Sequence, residues 1–459
     1  MIFKLRKKYP KFIYQNYTWD FKEKYLQISF QFKIEPNISF NPKIKIRGID
    51  YFKIKKEVLD NLVFNLGLIE MLSYWKATCS PIIKIEAGKL NKEQIKWWKE
   101  LIINGMGQFF YENKINWKKN SFLKIETNQD KKSFKPSFQK LKNKTLIPIG
   151  GGKDSIVTLE ILKNKKDISC FSLNPNQITK KIIKIGGCKN FITAERKIDP
   201  KLLELNRKGF LNGHTPFSAY LAFLTTLIAT ISDKKYVVLS NERSSNEGSL
   251  NYLGKEINHQ YSKSFDFEKK FRKYSKKHLV KNVEYFSFLR PLYEIQITKL
   301  FSKHKKYFKD FLSCNEAYKT KSCTIKKTGK WCNKCPKCLF VFICLYPFIE
   351  EKEIIKIFGK NLLKEKASLL LIKELIGVES HLKPFECVGT REESLIATYL
   401  CWKKEKNSLI TKYFEKNILH QQKNLEKKAD KMINSWNHQN KLPNSFIKML
   451  KNEDKRIRK

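Results

Sequence analysis

Residues 146–160 read "LIPIGGGKDSIVTLE", three glycines set between an apolar run and a helix-like repeat. Leu146–Ile149 has the character of a buried strand, and "SIVTLEILK" (155–163) continues with helical spacing. Glycines at such a junction let backbone amides approach an anion with no Cβ in the way, and the start of the helix adds the positive end of its dipole. Gly150, Gly151 and Gly152 therefore form a candidate phosphate cradle. Lys153 can offset phosphate charge, Asp154 can hold a metal ion or orient the loop, and Ser155 can donate a hydrogen bond. The spacing is neither Gly-x4-Gly-Lys-Ser/Thr nor Gly-x-Gly-x-x-Gly.

Outward from this loop, "DISCFSL" (167–173), "KNFITAE" (189–195) and "KYVVLS" (235–240) read as further strands, with an apolar helix from Phe217 to Ile231 before the last. This alternation predicts an α/β fold, a parallel doubly wound sheet with helices on both faces. Ligands of such sheets lie beyond the carboxyl ends of the strands, where the glycine loop and the polar stretch Asn241–Gly248 both fall. Residues 145–350 are assigned to this catalytic domain. Residues 1–127 are expected to form a separate N-terminal α+β domain. There Leu26, Ile28, Phe30, Phe32 and Ile34 alternate with polar residues, while Leu62, Leu66, Ile69 and Leu72 recur at helical spacing, as do Ile95, Trp98 and Leu101. The polar, basic segment 128–144 reads as a linker. Residues 351–459 carry a lysine-rich helical pattern, interrupted by "SHLKPFECVGTREES" (380–394) and closed by "KNEDKRIRK", read as a solvated tail.

Composition bounds these readings. A chain of 459 residues, 41% apolar and 13% aromatic, can bury two or three domains. The net charge of +48 suggests nucleic acid, yet only 10 of the 92 basic residues are arginine, the side chain that forks onto phosphates and base edges. The lysine excess runs along the whole chain, so no specific nucleic-acid partner is expected, although the positive field would draw in any polyanionic substrate. The start of the chain lacks the pattern of a signal peptide, and the Phe217–Ile231 run is short for a membrane span, which needs about 20 apolar residues. Eleven cysteines, three of them between Cys332 and Cys338, suit a reducing compartment better than a disulfide scaffold. A cytoplasmic protein without membrane attachment is expected.

"GGGKDS" resembles the pyrophosphate loop of the ATP-pyrophosphatase (PP-loop) superfamily, usually Ser-Gly-Gly-x-Asp-Ser, with Gly150 in place of the first serine. That resemblance implies an adenine nucleotide α-hydrolase-like fold and the use of ATP with Mg²⁺ to adenylate an oxygen of the substrate. Six stretches occur in order: "PIGGGKDSIVTLE", "GHTPFSA", "LSNERSSNEG", "INHQYSKS", "WCNKCPKCLFVF" and "KPFECVGTREE". Together they resemble the UDP-N-acetyl-α-D-muramoyl-L-alanyl-L-glutamate epimerase family from about residue 145 to 395. The resemblance implies a UDP-linked muramoyl dipeptide as substrate, ATP and Mg²⁺ as cofactors, AMP and pyrophosphate as products, and a place in peptidoglycan precursor synthesis. The alternative within the same superfamily is a tRNA-modifying enzyme such as a thiolase, with Cys335 or Cys338 carrying sulfur.

Within that frame Asn241, Glu242 and Arg243 can meet nucleotide, metal or a substrate carboxylate, or else form a polar turn capping a helix. Histidine ordinarily titrates near neutrality, so His214 and His259 are candidate acid and base, as are Glu242, Glu386 and Cys387; Lys263 is a candidate substrate ligand. Cys332, Cys335 and Cys338 have Cys-x2-Cys-x2-Cys spacing, with Cys323 and Cys314 upstream. Cys323 with these three suits a structural zinc and resembles the zinc knot of 7-cyano-7-deazaguanine synthase. Reduced buried thiols and an iron–sulfur cluster are the other two readings.

Overall fold

The computed structural model describes residues 2–49, 54–119, 121–165, 167–318 and 330–458. Four parallel strands follow the expected runs, β7 (Thr145–Pro148), β8 (Ile168–Leu173), β9 (Phe191–Lys197) and β10 (Tyr236–Leu239), and a fifth, β13 (Glu284–Ser287), joins them without having been read from the sequence. They lie in the order β13-β10-β7-β8-β9, so the sheet grows outward in both directions from β7. The chain thus reverses its winding between β7 and β10, and a crevice opens there at the carboxyl edge.

Successive strand residues point to opposite faces. Leu146, Phe171, Val237 and Tyr285 enter one apolar core, while their neighbours Ile147, Cys170, Val238 and Phe286 enter the other. The first core is built against helices Lys56–Glu70 and Phe217–Ile231, the second against Lys153–Leu162, Glu294–Phe301 and Pro336–Leu345. The sheet is therefore buried on both faces, which explains its near-continuous apolar strands. Phe217–Ile231 is a buried helix, as expected, and among the described residues no helix is long and apolar enough to cross a membrane.

The expectation of a separate N-terminal domain gives way at the sheet. β1 (Lys11–Lys22), β2 (Tyr25–Ile34), β3 (Ile38–Phe40), β4 (Lys43–Arg47), β5 (Ile82–Ile85) and β6 (Lys124–Thr127) continue the same sheet. The join is antiparallel, Lys43–Arg47 against Thr193–Lys197. Ile44 and Ile46 are fully buried at this seam, so the pairing withdraws an apolar edge from water. A short hairpin, β11 (Leu250–Tyr252) with β12 (Lys255–Ile257), stands apart. Residues 351–458 are helical, with a break before Arg391 as the sequence pattern indicated. The last stretch, read as a solvated tail, is helical through Arg458 as the end of the Asn444–Arg458 helix, with Lys451, Asn452 and Lys455 exposed and Asp454 buried. Phe446 of that helix packs edge-on against Tyr236 and Phe286, tying it to β10 and β13.

Candidate functional site

At the crevice, β7 ends in the glycine loop. Gly151 has φ +94°, a left-handed conformation open to glycine and strained for other residues. A Cβ on Gly152 would meet the Ser313 hydroxyl at 2.6 Å, so the third glycine permits the chain to pass close beneath residues 312–313. Gly150 faces open space. The helix Lys153–Leu162 starts at Gly152 without a side-chain cap, leaving its first amides for a ligand. Ser155 donates back to the Gly152 carbonyl at 2.9 Å. A cavity of about 500 Å³ opens beside the loop, lined by Ile149, Gly150, Phe171, Leu173 and Phe217 among others.

The loop's charged residues turn inward. Lys153 is buried and bonds to the carboxylates of both Asp154 and Glu294. Glu294 begins the helix after β13, and its second oxygen accepts from Lys337 Nζ at 3.3 Å. Glu242, from the end of β10, completes a group in which Asp154, Glu242 and Glu294 bring one carboxylate oxygen each within 4.8 Å of one another. Burial pushes the Glu242 carboxyl up to about 7, reinforced by the nearby Glu294 charge. Burial would push Glu294 up as well, but the Lys153 and Lys337 ammonium groups pull it down to about 2. Three hard oxygen donors converging in this way suit Mg²⁺, which accepts carboxylates and retains positions for phosphate and water.

Lys263 connects this group to the candidate proton carriers. Its Nζ lies 3.1 Å from Cys387 Sγ. Burial opposes its charge, but Cys387 and then Glu242 hold the ammonium above its ordinary range. The rings of His214 and His259 lie 4.5 Å apart, and His259 Nδ1 is 2.5 Å from Gln108 Oε1. Burial, followed by the positive charge of Lys263 and Lys383, depresses His259 to about 3; burial and then His259 lower His214. Both rings are accordingly neutral at physiological pH. Gln108 belongs to the first 127 residues, and so does Lys76, which donates to the Gly213 carbonyl at 2.9 Å. The N-terminal block thus walls the histidine side of the site.

Asn241 and Arg243 flank the group. Asn241 donates to Ser287 Oγ at 3.1 Å, joining the ends of β10 and β13. Arg243 stacks over the Tyr293 ring at 4.2 Å. Glu386 accepts from the Lys337 backbone N–H at 2.8 Å.

Several residues of the site were not singled out in the sequence. Glu294 lies in "PLYEIQ", seven residues past the end of β13 and at the start of a helix, with no local signal of its role. Lys337 was hidden between cysteines. Glu393 accepts the Glu294 N–H at 2.7 Å and also bonds Thr390 N–H in a capping box, readable as Thr-x-x-Glu. Arg290, fully buried, donates to the carbonyls of Glu242 and Lys263 and to Ser245 Oγ, clamping the two loops together. Cys323 lies outside the described residues; the thiol gathered with Cys332, Cys335 and Cys338 is Cys314. Cys335 and Cys338 are buried beside those thiols.

Residues 4–288 match the MurL N-terminal domain, and residues 310–432 match the MurL C-terminal domain. The chain is 34% identical over 339 residues to the UDP-N-acetyl-alpha-D-muramoyl-L-alanyl-L-glutamate epimerase of a Micromonospora species, 73% of each chain being covered. It is 33% identical over 346 residues to the protein of that name from Xanthomonas oryzae pv. oryzae, covering 74% of this chain and 75% of the relative. No solved structure matches it.

Proposed function

This chain belongs to the MurL family, and on that premise we propose that it inverts the terminal L-Glu of UDP-N-acetylmuramoyl-L-Ala-L-Glu in the cytoplasm, with ATP activating the glutamate carboxyl. Removing an α-proton beside a free carboxylate builds a second negative charge next to the first. Adenylation removes that obstacle. The carboxylate oxygen attacks the α-phosphorus and pyrophosphate leaves, so the neutral carbonyl becomes an electron sink. A side-chain base then takes the α-proton, an acid returns one to the opposite face, and water cleaves the adenylate to AMP and the D-Glu carboxylate.

The observation that carries this reading is the Asp154, Glu242 and Glu294 group beside the uncapped helix start of the glycine loop. The loop amides would hold the phosphates, with adenosine in the cavity between β7 and β8. Mg²⁺ bound by the three carboxylates would neutralise the departing pyrophosphate. Lys153 and Lys337 hold Glu294 ionised in readiness for the ion. Cys387, which accepts a hydrogen bond from the Lys263 ammonium, is the base suited to one face of the glutamate. The His214 and His259 pair, on the same cluster, is the candidate for the other face, and a bound anionic substrate would raise the two depressed pKa values toward the working range. Asn241 and Arg243 remain for substrate.

Two measurements test this. AMP release from ATP should depend on the UDP-dipeptide and be abolished in Asp154→Ala; release at the parent rate would remove the loop and its acidic group from the reaction. Turnover in D₂O should place deuterium at the glutamate α-carbon, and its absence would exclude a carbanion route.

A further inference from the structure

Four cysteines converge behind the site from two separate stretches of chain. Cys314, Cys332, Cys335 and Cys338 each offer a sulfur, and all four atoms lie within 4.8 Å of one another. Cys335 and Cys338 Sγ are 3.5 Å apart, and Cys332 and Cys338 Sγ are 3.7 Å apart. A disulfide would need about 2.05 Å. A tetrahedron with zinc–sulfur bonds of about 2.3 Å has edges of about 3.8 Å, close to both separations. A [4Fe–4S] cluster anchors each cysteine on its own iron and a [2Fe–2S] cluster two on each, so either spreads the four sulfurs further than one ion does. The chemistry agrees with the geometry. Four soft donors with no carboxylate among them select zinc over magnesium or calcium. Leu312, Ala317 and Trp331 pack around the sulfurs, leaving Cys332 half-buried and the other three buried. Cys335 caps the Pro336–Leu345 helix, whose positive end favours thiolates, and Lys334 N–H points at Cys332 Sγ at 3.4 Å.

We propose that Cys314, Cys332, Cys335 and Cys338 bind one zinc ion as four thiolates, and that this ion braces both sides of the phosphate site. On one side, Leu312 N–H donates to the Gly151 carbonyl at 3.0 Å, and the Ser313 hydroxyl rests against Gly152. Cys314 follows directly, so its bond to the metal fixes the segment on which the glycine loop lies. On the other side, Lys337 sits between two ligands in one turn. Its N–H holds Glu386, beside Cys387, and its ammonium holds Glu294. Zinc binding releases the thiol protons and pins these two segments to each other. Cys314 is the fourth ligand.

The test is metal analysis of the purified full-length protein, which reports on the site independently of turnover. One zinc per chain is expected, and cobalt substitution should give the intense thiolate charge-transfer bands of a four-sulfur tetrahedron. Cys314→Ser should lose at least tenfold in zinc affinity under chelator competition, Cys314→His should recover most of it, and Cys323→Ser should keep the parent value. Zinc withdrawal should raise the KM for ATP at least tenfold while leaving that for the UDP-dipeptide near the parent value. Iron in place of zinc, no bound metal, or loss of zinc in Cys323→Ser with retention in Cys314→Ser would overturn the proposal. If Cys314→Ser does not fold, the cobalt spectrum of the parent protein and the Cys323→Ser content still decide it.

Discussion

At the scale of single residues the site is an exercise in buried charge. Glu294 serves two ammonium groups that have almost no access to water. Glu294→Gln keeps the shape and removes the charge, leaving Lys337 without a carboxylate partner and Lys153 with Asp154 alone. The variant should be less stable by roughly 3 kcal/mol, read from its urea midpoint, because an unpaired buried cation costs more than the pair contributes. AMP formation should fall by about two orders of magnitude. His259 gives the opposite kind of signal. Its folded pKa of about 3 lies below the unfolded value of 6.5, so the unfolded chain takes up a proton first as pH falls. The stabilisation is full above pH 6.5 and is lost toward pH 3, at up to about 1.4 kcal/mol per pH unit. His259→Gln should therefore lose less stability than the parent between pH 7 and pH 5, as measured by urea unfolding at each pH.

At the scale of elements, the glycine loop makes a paired prediction. Gly150→Ser has room for its side chain and should unfold within about 0.5 kcal/mol of the parent, whereas Gly152→Ala collides with Ser313 and should be clearly destabilised and lose ATP-dependent AMP release. Thermal denaturation and the AMP assay read both. The element scale is also where the sequence was most legible. The strands at 145–148, 168–173, 191–197 and 236–239 and the Phe217–Ile231 helix stand where apolar runs indicated, because strands buried on both faces leave an unbroken apolar mark. Glu242, Lys263 and Cys387 were legible as polar residues after strand ends or in loops. Glu294, Lys337 and Arg290 were not, because their importance lies in partners 22 to 141 residues away. The last turns of the Asn444–Arg458 helix escaped because 451–458 is dominated by charge, while the apolar positions that dock the helix, Phe446 and Leu450, come earlier.

For the whole molecule, the decisive feature is one sheet shared by both blocks. Residues 1–127 contribute six strands and also Gln108 at the histidines. A chain beginning at residue 128 would leave β9 as an open edge and uncover Phe223, Leu227 and their neighbours in the first core. It should be recovered as aggregate, and size-exclusion chromatography of soluble protein should show no monomer. The charge of +48 belongs to this scale too, since it comes from lysines spread along the chain. Retention on any polyanion should collapse as salt rises and carries no information on substrate.

The seam between β4 and β9 also sets a timetable for synthesis. Residues 43–47 leave the ribosome long before their partners at 193–197 exist. At about 5–20 residues per second, the first hairpin waits on the order of ten seconds or more with one side unsatisfied. A nascent chain of this kind has reason to engage holding chaperones early, and slow codons between the two segments would lengthen its exposure.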